Sequence, residues 1–164
     1  GEPPARRGFP ASVFEALPRL LERSGRTDSG CITAFYTVLL EDEQDADPIG
    51  EVVKSLLDGH LYLSSKLAGR GHLPALDVLR SGSRLFGSLT NAAHQQAAAR
   101  IRGLLGTLED LQLMRDLGEY TPGVSAAYDK AIASEAALMA FLRQGQHERA
   151  ELPHTLEALH GLSR

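Results

Sequence analysis

Nine consecutive residues constrain the fold more than any others. Ile32 to Leu40, read as ITAFYTVLL, is an almost unbroken apolar run rich in β-branched and aromatic side chains. It does not alternate, so neither face is marked for solvent. That pattern predicts a parallel strand covered on both sides, and so an α/β chain with helices packed on a sheet. Cys31 at its start is expected to be a small buried residue, since no base lies near it in sequence. The flanks carry helix signals. Ser12 with Glu15 three residues on spells a capping box. The helix it opens should run to about Arg23 and bury Val13, Leu17, Leu20 and Leu21, with Pro18 kinking or splitting it. Ser24-Gly25 ends it, and Arg26 to Gly30 reads as a polar turn. On the other side, Glu41 to Asp47 is acidic. A calcium loop begun at Asp45 would put Ile49 and Leu56 where oxygen ligands are required, so a solvated loop is expected instead. Pro48 then starts a helix as its first residue, burying Ile49, Val52, Val53, Leu56 and Leu57.

From Asn91 onward the chain changes character. Ala, Leu, Glu and Arg dominate, and no strand-like run remains. Asn91 is placed to cap a long helix whose stripe is Ala97, Ile101, Leu104, Leu108 and Leu111, ended by Gly118. Gly103 and Gly106 weaken it by about 1 kcal/mol each. They mark either close approach of another helix or a tolerated defect. Tyr120 to Gly123 turns the chain. Ser125 caps a second helix with Ile132, Ala136, Met139 and Leu142 inward, closed by Gly145. Pro153 starts a third, with Leu156, Leu159 and Leu162 on one side.

Between these zones lies Asp58 to Arg84, DGHLYLSSKLAGRGHLPALDVLRSGSR. Leu61 to Leu63 is a short strand-like run. Ser64 caps a brief helix that Gly69 and Gly71 stop, and Pro74 leads into an extended piece, Ala75 to Leu79. Ser81-Gly82-Ser83-Arg84 is a small-residue turn presenting one arginine. Small residues let a backbone approach a partner closely, and arginine then supplies a permanent charge with a planar donor fork. That suits a phosphate or a carboxylate. It equally suits an ion pair with Asp77 or a helix end.

Several function classes drop out. A net charge of −4 argues against a general nucleic-acid binder. No apolar run approaches the roughly eighteen residues of a membrane span. The single cysteine rules out an internal disulfide framework and fits a reducing compartment. His147, His154 and His160 lack the i, i+4 spacing of a zinc helix. The three lysines follow Val53, Ser65 and Asp129, so no Gly-Lys pair exists from which to build a phosphate-cradling loop.

The central stretch resembles the segment DGHxxLSxxLAxxGHYPAxDVLxSxSR of the type III secretion ATPases, relatives of the flagellar export ATPase and of the catalytic subunit of rotary ATP synthases. GEPPARRGFPASVFEALPRLLERSG, GCITAFYTVL, GEY-x-x-G and FLxQG-x-HE match that family in the same order. The resemblance covers nearly the whole chain but only the second half of the family's polypeptide. The wording DVLRSGSR is nearer to the virulence-associated injectisome branch.

The resemblance implies an α/β fold: the C-terminal half of a RecA-like parallel-sheet ATPase core over residues 1–88, followed by a small all-helical C-terminal domain over 89–164. It implies a homohexamer whose ATP hydrolysis is coupled to chaperone release and substrate unfolding, cytoplasmic and peripheral at the inner-membrane base of the secretion apparatus. Arg84 would be an arginine finger reaching the ATP held by a neighbouring subunit. ATP and Mg2+ would be bound mainly by residues upstream, so this chain alone is expected to be inactive. Its first zone is expected to be sticky or partly disordered in isolation. The helical domain would face the central stalk, stator proteins and chaperone–effector complexes. A non-catalytic interaction module and the flagellar export ATPase are the alternatives. Three departures stand out. Leu73 replaces the family's tyrosine, which in rotary relatives packs on the adenine; Phe141 is either a substitute base contact or an ordinary core aromatic. Ser65 replaces the usual arginine. Phe9-Pro10-Ala11 replaces Tyr-Pro-Pro beside Arg6-Arg7, which either face the central channel or are simply solvated.

Overall fold

A computed structural model describes residues 2–6, 8–40 and 47–164. The acidic loop before Asp47 and Arg7 lie outside the described residues, as does the side chain of Arg6. The chain forms two compact units, residues 1–60 and 61–164.

In the first unit, β1 (Pro4–Arg6) and β2 (Phe9–Pro10) form an antiparallel ribbon around Gly8, whose φ of 83° favours glycine. Helix α1 (Ala11–Leu21) follows, and Pro18 lies inside it without breaking it. Its N-cap is Pro10, not Ser12. Glu2 has taken that serine: the Ser12 N–H donates to Oε1 at 3.0 Å and its hydroxyl to Oε2 at 2.6 Å. A carboxylate accepting two donors displaces the expected capping box, and the helix ends two residues early. Leu21 is buried, whereas Leu20 is exposed.

The expected polar turn is a hairpin of β3 (Gly25–Thr27) and β4 (Gly30–Ile32), with Arg26 opposite Cys31. Cys31 is therefore exposed rather than buried. Residues 33–40 do not form the expected strand. Phe35 and Leu39 are 90% and 94% exposed. A strand of this composition needs ladder partners on its edges and layers on its faces. Among the described residues nothing pairs with it, and Tyr36 donates its hydroxyl to the Leu20 carbonyl at 3.4 Å. Helix α2 (Pro48–Leu56) begins as expected, with the Asp47 carboxylate accepting from the N–H groups of Ile49 and Gly50. Only Val53 is fully buried on it, and Leu56 is exposed. A Cβ at Gly50 would lie 2.8 Å from Leu40 Cδ2, so a side chain there would make the Leu40 tip shift.

β5 (Gly59–Leu63), whose last three residues open the second unit, pairs with β6 (Leu76–Ser83) around α3 (Ser65–Gly69). A one-turn helix α4 (Phe86–Leu89) leads to α5 (Ala92–Asp116), α6 (Ala126–Leu142) and α7 (Leu152–Leu162). Asn91 and Ser125 cap α5 and α6 as their residue types predict, accepting from the N–H groups of His94 and Tyr128.

The core is Ile101, Leu105, Leu108, Ala131 and Leu138, with Leu104, Ile132, Met139, Leu142, Leu159 and Leu162 packed around it. Two stripe positions shift. Leu105 rather than Leu104 is fully buried on α5, and on α6 Ala131 and Leu138 take the centre while Ala136 is exposed. The 3.6-residue period makes neighbours such as 104 and 105 compete for one seam, and helix packing decides between them. Gly103 and Gly106 carry no close approach, because a Cβ at either would meet nothing within 4 Å.

Candidate functional site

The site is built on β6 and the two turns that flank it. At its start, the Leu73–Pro74 peptide is cis. Gly71, with φ 68°, reverses the chain after α3, and the His72 N–H donates to the Leu67 carbonyl at 3.0 Å. The Leu73 carbonyl accepts from the Gln144 N–H at 2.9 Å. The sequence analysis named Leu73 and Phe141 separately. The fold joins the backbone of the first to the turn that follows the second. Leu73 keeps a 56% exposed side chain, while Phe141 is half-buried at the end of α6. That turn is stiffened by Glu148, whose carboxylate accepts from the Gly145 N–H and whose carbonyl accepts from the Gln144 side chain, each at 2.9 Å.

His72 is 5% exposed beneath this junction. Burial, and then the positive charge of Arg143, hold its pKa below the ordinary imidazole value.

At the far end of β6, the expected turn starts three residues later. Ser81 to Ser83 finish the strand, and Arg84 opens the turn, exposed. The strand end is cross-braced. Ser81 donates its hydroxyl to the Asp77 carbonyl at 2.6 Å and accepts from the Tyr62 N–H at 3.0 Å. Asp77 itself accepts from the Arg80 N–H, and the Arg80 guanidinium lies 4.4 Å from the Tyr62 ring centroid. After Arg84, the Leu85 N–H donates to the Ser83 hydroxyl at 3.2 Å.

Two residues that the sequence analysis missed engage this turn from α5. Arg102 forks onto β6. Its Nη1 donates to the carbonyls of Val78 and Ser81, and its Nη2 to that of Leu79 at 2.8 Å. Gln95 donates from Nε2 to the carbonyls of Gly87 at 3.0 Å and Thr90 at 2.8 Å. The rings of His94 and Phe86 meet edge to face at 5.3 Å. The available signal was the seven-residue spacing of Gln95 and Arg102, which puts both on one helix face. A polar pair at that spacing on a mostly polar helix surface draws no attention by itself.

Chemically, this unit offers an exposed arginine on a braced strand end, with a half-apolar junction of Leu73 and the Phe141 turn at the strand's other end. Among the described residues no group of three or more His, Cys, Asp or Glu is arranged to hold a metal ion.

Comparison with known proteins places the chain. Residues 1–83 match the ATP synthase alpha/beta family, nucleotide-binding domain, and residues 90–161 match the T3SS EscN ATPase C-terminal domain. The SPI-1 type 3 secretion system ATPase of Salmonella typhi is 53% identical over 163 residues, covering 99% of this chain. The flagellum-specific ATP synthase of Bacillus subtilis is 42% identical over 163 residues. The chain spans 38% of the first polypeptide and 37% of the second. Among solved structures, the assembled ATPase EscN of the enteropathogenic E. coli type III secretion system superposes on the whole chain with a TM-score of 0.95 at 41% identity, 40% of that chain being covered. EscN in complex with its central stalk EscO gives 0.88 at 40% identity, with 100% of this chain and 39% of that chain covered. The expected fold class stands on that likeness, although the apolar run 33–40 is not a strand here. The chain belongs to the ATP synthase alpha/beta family, and along its whole length it is similar to the C-terminal part of type III secretion ATPases.

Proposed function

We propose that this chain is part of a homohexameric ATPase that energises type III protein secretion, and that Arg84 is its trans-acting arginine finger. The observation that carries the reading is Arg84 itself: an exposed arginine in the turn closing a braced strand, within a chain whose relatives are secretion ATPases. In this reading residues 1–88 complete the ATPase core. Residues 89–164 form the face toward the stalk, stator proteins and chaperone–effector complexes. The solved assembly of EscN, and its complex with a central stalk, support an oligomer and a stalk partner. The particle would work in the cytoplasm against the membrane base of the apparatus, releasing chaperones and unfolding substrates.

Arg84 would act on charge. As the bond to the terminal phosphate breaks, negative charge develops on oxygens that a neighbouring subunit cannot neutralise alone. A guanidinium has a fixed positive charge and paired donors, and it needs no proton transfer to act. Such fingers contribute about a thousandfold or more in rate. Leu73, with the Phe141 turn bonded to its backbone, would form the apolar wall for the adenine base. ATP phosphates and Mg2+ would be held by residues upstream of this sequence in the full polypeptide. This chain alone, lacking a Gly-Lys pair, is proposed to be inactive.

The test is complementation between subunits. Full-length subunits with Arg84→Ala are mixed with subunits whose phosphate-binding lysine is replaced. Each alone should be nearly inactive. Mixed hexamers should recover turnover, because one subunit's bound ATP then meets its neighbour's intact Arg84. No recovery, with mixed assembly demonstrated, would overturn action in trans.

A further inference from the structure

We infer that Gln95 and Arg102 form a two-point clip that mounts the Arg84 turn on the first half of α5, making both of them positioning residues for Arg84. The inference rests on the reading of Arg84 proposed above.

The clip brackets the arginine. Arg102 takes the carbonyls of Val78, Leu79 and Ser81 on the strand leading into the turn. Gln95 takes those of Gly87 and Thr90 on the segment leading out. Seven residues along an α-helix is nearly two full turns, about 10.5 Å of rise, so both side chains leave the same face. Both bond sets run from side chains of α5 to backbone carbonyls of β6 and of the short segment after Arg84. Here α5 satisfies five of them with two side chains, one of them charged and therefore a stronger donor. The edge-to-face contact of His94 with Phe86 adjoins the Gln95 anchor in sequence.

Beside this face, Ile101, Leu105 and Leu108 of α5 enter the core with α6 and α7, and Val78 and Leu79 of β6 pack against the same cluster. The helix thus carries both the arginine turn and the helical core. A tilt of α5 would be felt at Arg84 as a displacement of the turn, not only as a change in helix packing. A misplacement of about 1 Å in a catalytic group is enough to cost roughly a hundredfold in rate.

The test uses the full-length ATPase carrying this chain. Arg102→Ala should lower kcat at least about tenfold, with KM for ATP and hexamer assembly unchanged. Arg102→Lys should recover only part, since a single ammonium cannot span three carbonyls. The deciding comparison is made in the Arg84→Ala background, where Arg102→Ala should cause no further loss. An equal fold-loss in both backgrounds would overturn the clip as a device acting through Arg84. If Arg84→Ala alone leaves turnover intact, the reading of Arg84 fails first and the clip has nothing to position. Should Arg102→Ala not assemble, Arg102→Lys and Gln95→Ala serve in the same comparison. An independent readout needs no ATP. In the full-length protein, hydrogen exchange at the amides of Leu85, Ser88 and Leu89 should quicken about tenfold or more in Arg102→Ala, with α6 amides unchanged. Unchanged exchange at those three amides would overturn the inference.

Discussion

Replacing Gly103 and Gly106 by alanine should stabilise the second unit. Both lie inside α5, a 25-residue helix, and neither has a positive φ. Glycine in a helix interior is about 1 kcal/mol worse than alanine, because the unfolded chain loses more backbone freedom on ordering it. The offsetting cost would be a clash, and the structure supplies none: a Cβ at either position meets nothing within 4 Å. The two methyls share no neighbour, so the gains should add to about 2 kcal/mol. With a urea m-value of about 1–3 kcal/mol/M for a unit of this size, the midpoint should rise by roughly 1 M. The assay is urea unfolding followed by helical circular dichroism for each single variant and the pair. A gain for the pair below about 0.5 kcal/mol would refute the reasoning. A loss, accompanied by a change in association state, would show that this helix face is covered by a neighbour and that the glycines serve close approach.

Four further outcomes follow from named contacts. Leu138→Ala removes a fully buried side chain from the centre of the helical core and should cost about 2–5 kcal/mol, whereas Leu152→Ala, at an exposed position, should stay within about 0.5 kcal/mol; similar costs in urea unfolding would contradict the assigned core. His72 titrates below its ordinary value of 6.5 in the folded chain, so the unfolded chain takes up a proton first as pH falls. Its stabilising contribution is therefore complete above about pH 6.5 and is lost as pH drops from there through the lowered folded value; His72→Gln should flatten that part of the stability–pH curve, and parallel curves would contradict it. Cys31 is exposed on the β3–β4 hairpin and should react with a thiol reagent without denaturant; a thiol that reacts only after unfolding would contradict the exposed hairpin. In the full-length ATPase, Leu73→Tyr should tighten nucleotide binding by about 0.5–1.5 kcal/mol through ring stacking, and an unchanged affinity in a nucleotide titration would remove the base contact from that position.

What could be read from the sequence divides by range. Local chemistry was legible. Asn91, Ser125, Ser64 and Pro48 mark helix starts because their side chains, or a missing N–H, satisfy the first turn without distant help, whereas Asp47, read as the end of a solvated loop, is a buried N-cap. Ser12 shows the limit of that logic, since Glu2 ten residues away outcompetes the local cap. The apolar run after Cys31 was misread for a related reason. Its residue types specify a strand, but a strand exists only where another chain segment completes its ladder, and among the described residues none does. The exact stripe positions on α5 and α6 depend on how three helices settle against each other. At the site, Arg84 and Leu73 were visible because their motif is dense and ordered. The bond from Gln144 to Leu73, and the clip of Gln95 and Arg102, link residues 5 to 71 positions apart through backbone carbonyls that carry no sequence signature.

The central claim is that an exposed arginine at the end of β6 does chemistry in a neighbouring subunit's site. The most direct measurement is steady-state ATP turnover of the full-length hexamer with Arg84→Ala, with assembly and nucleotide binding followed in the same sample. The account predicts a fall in kcat of about a hundredfold or more with both of the others retained. Turnover close to that of the unsubstituted enzyme would contradict it and leave Arg84 a structural arginine.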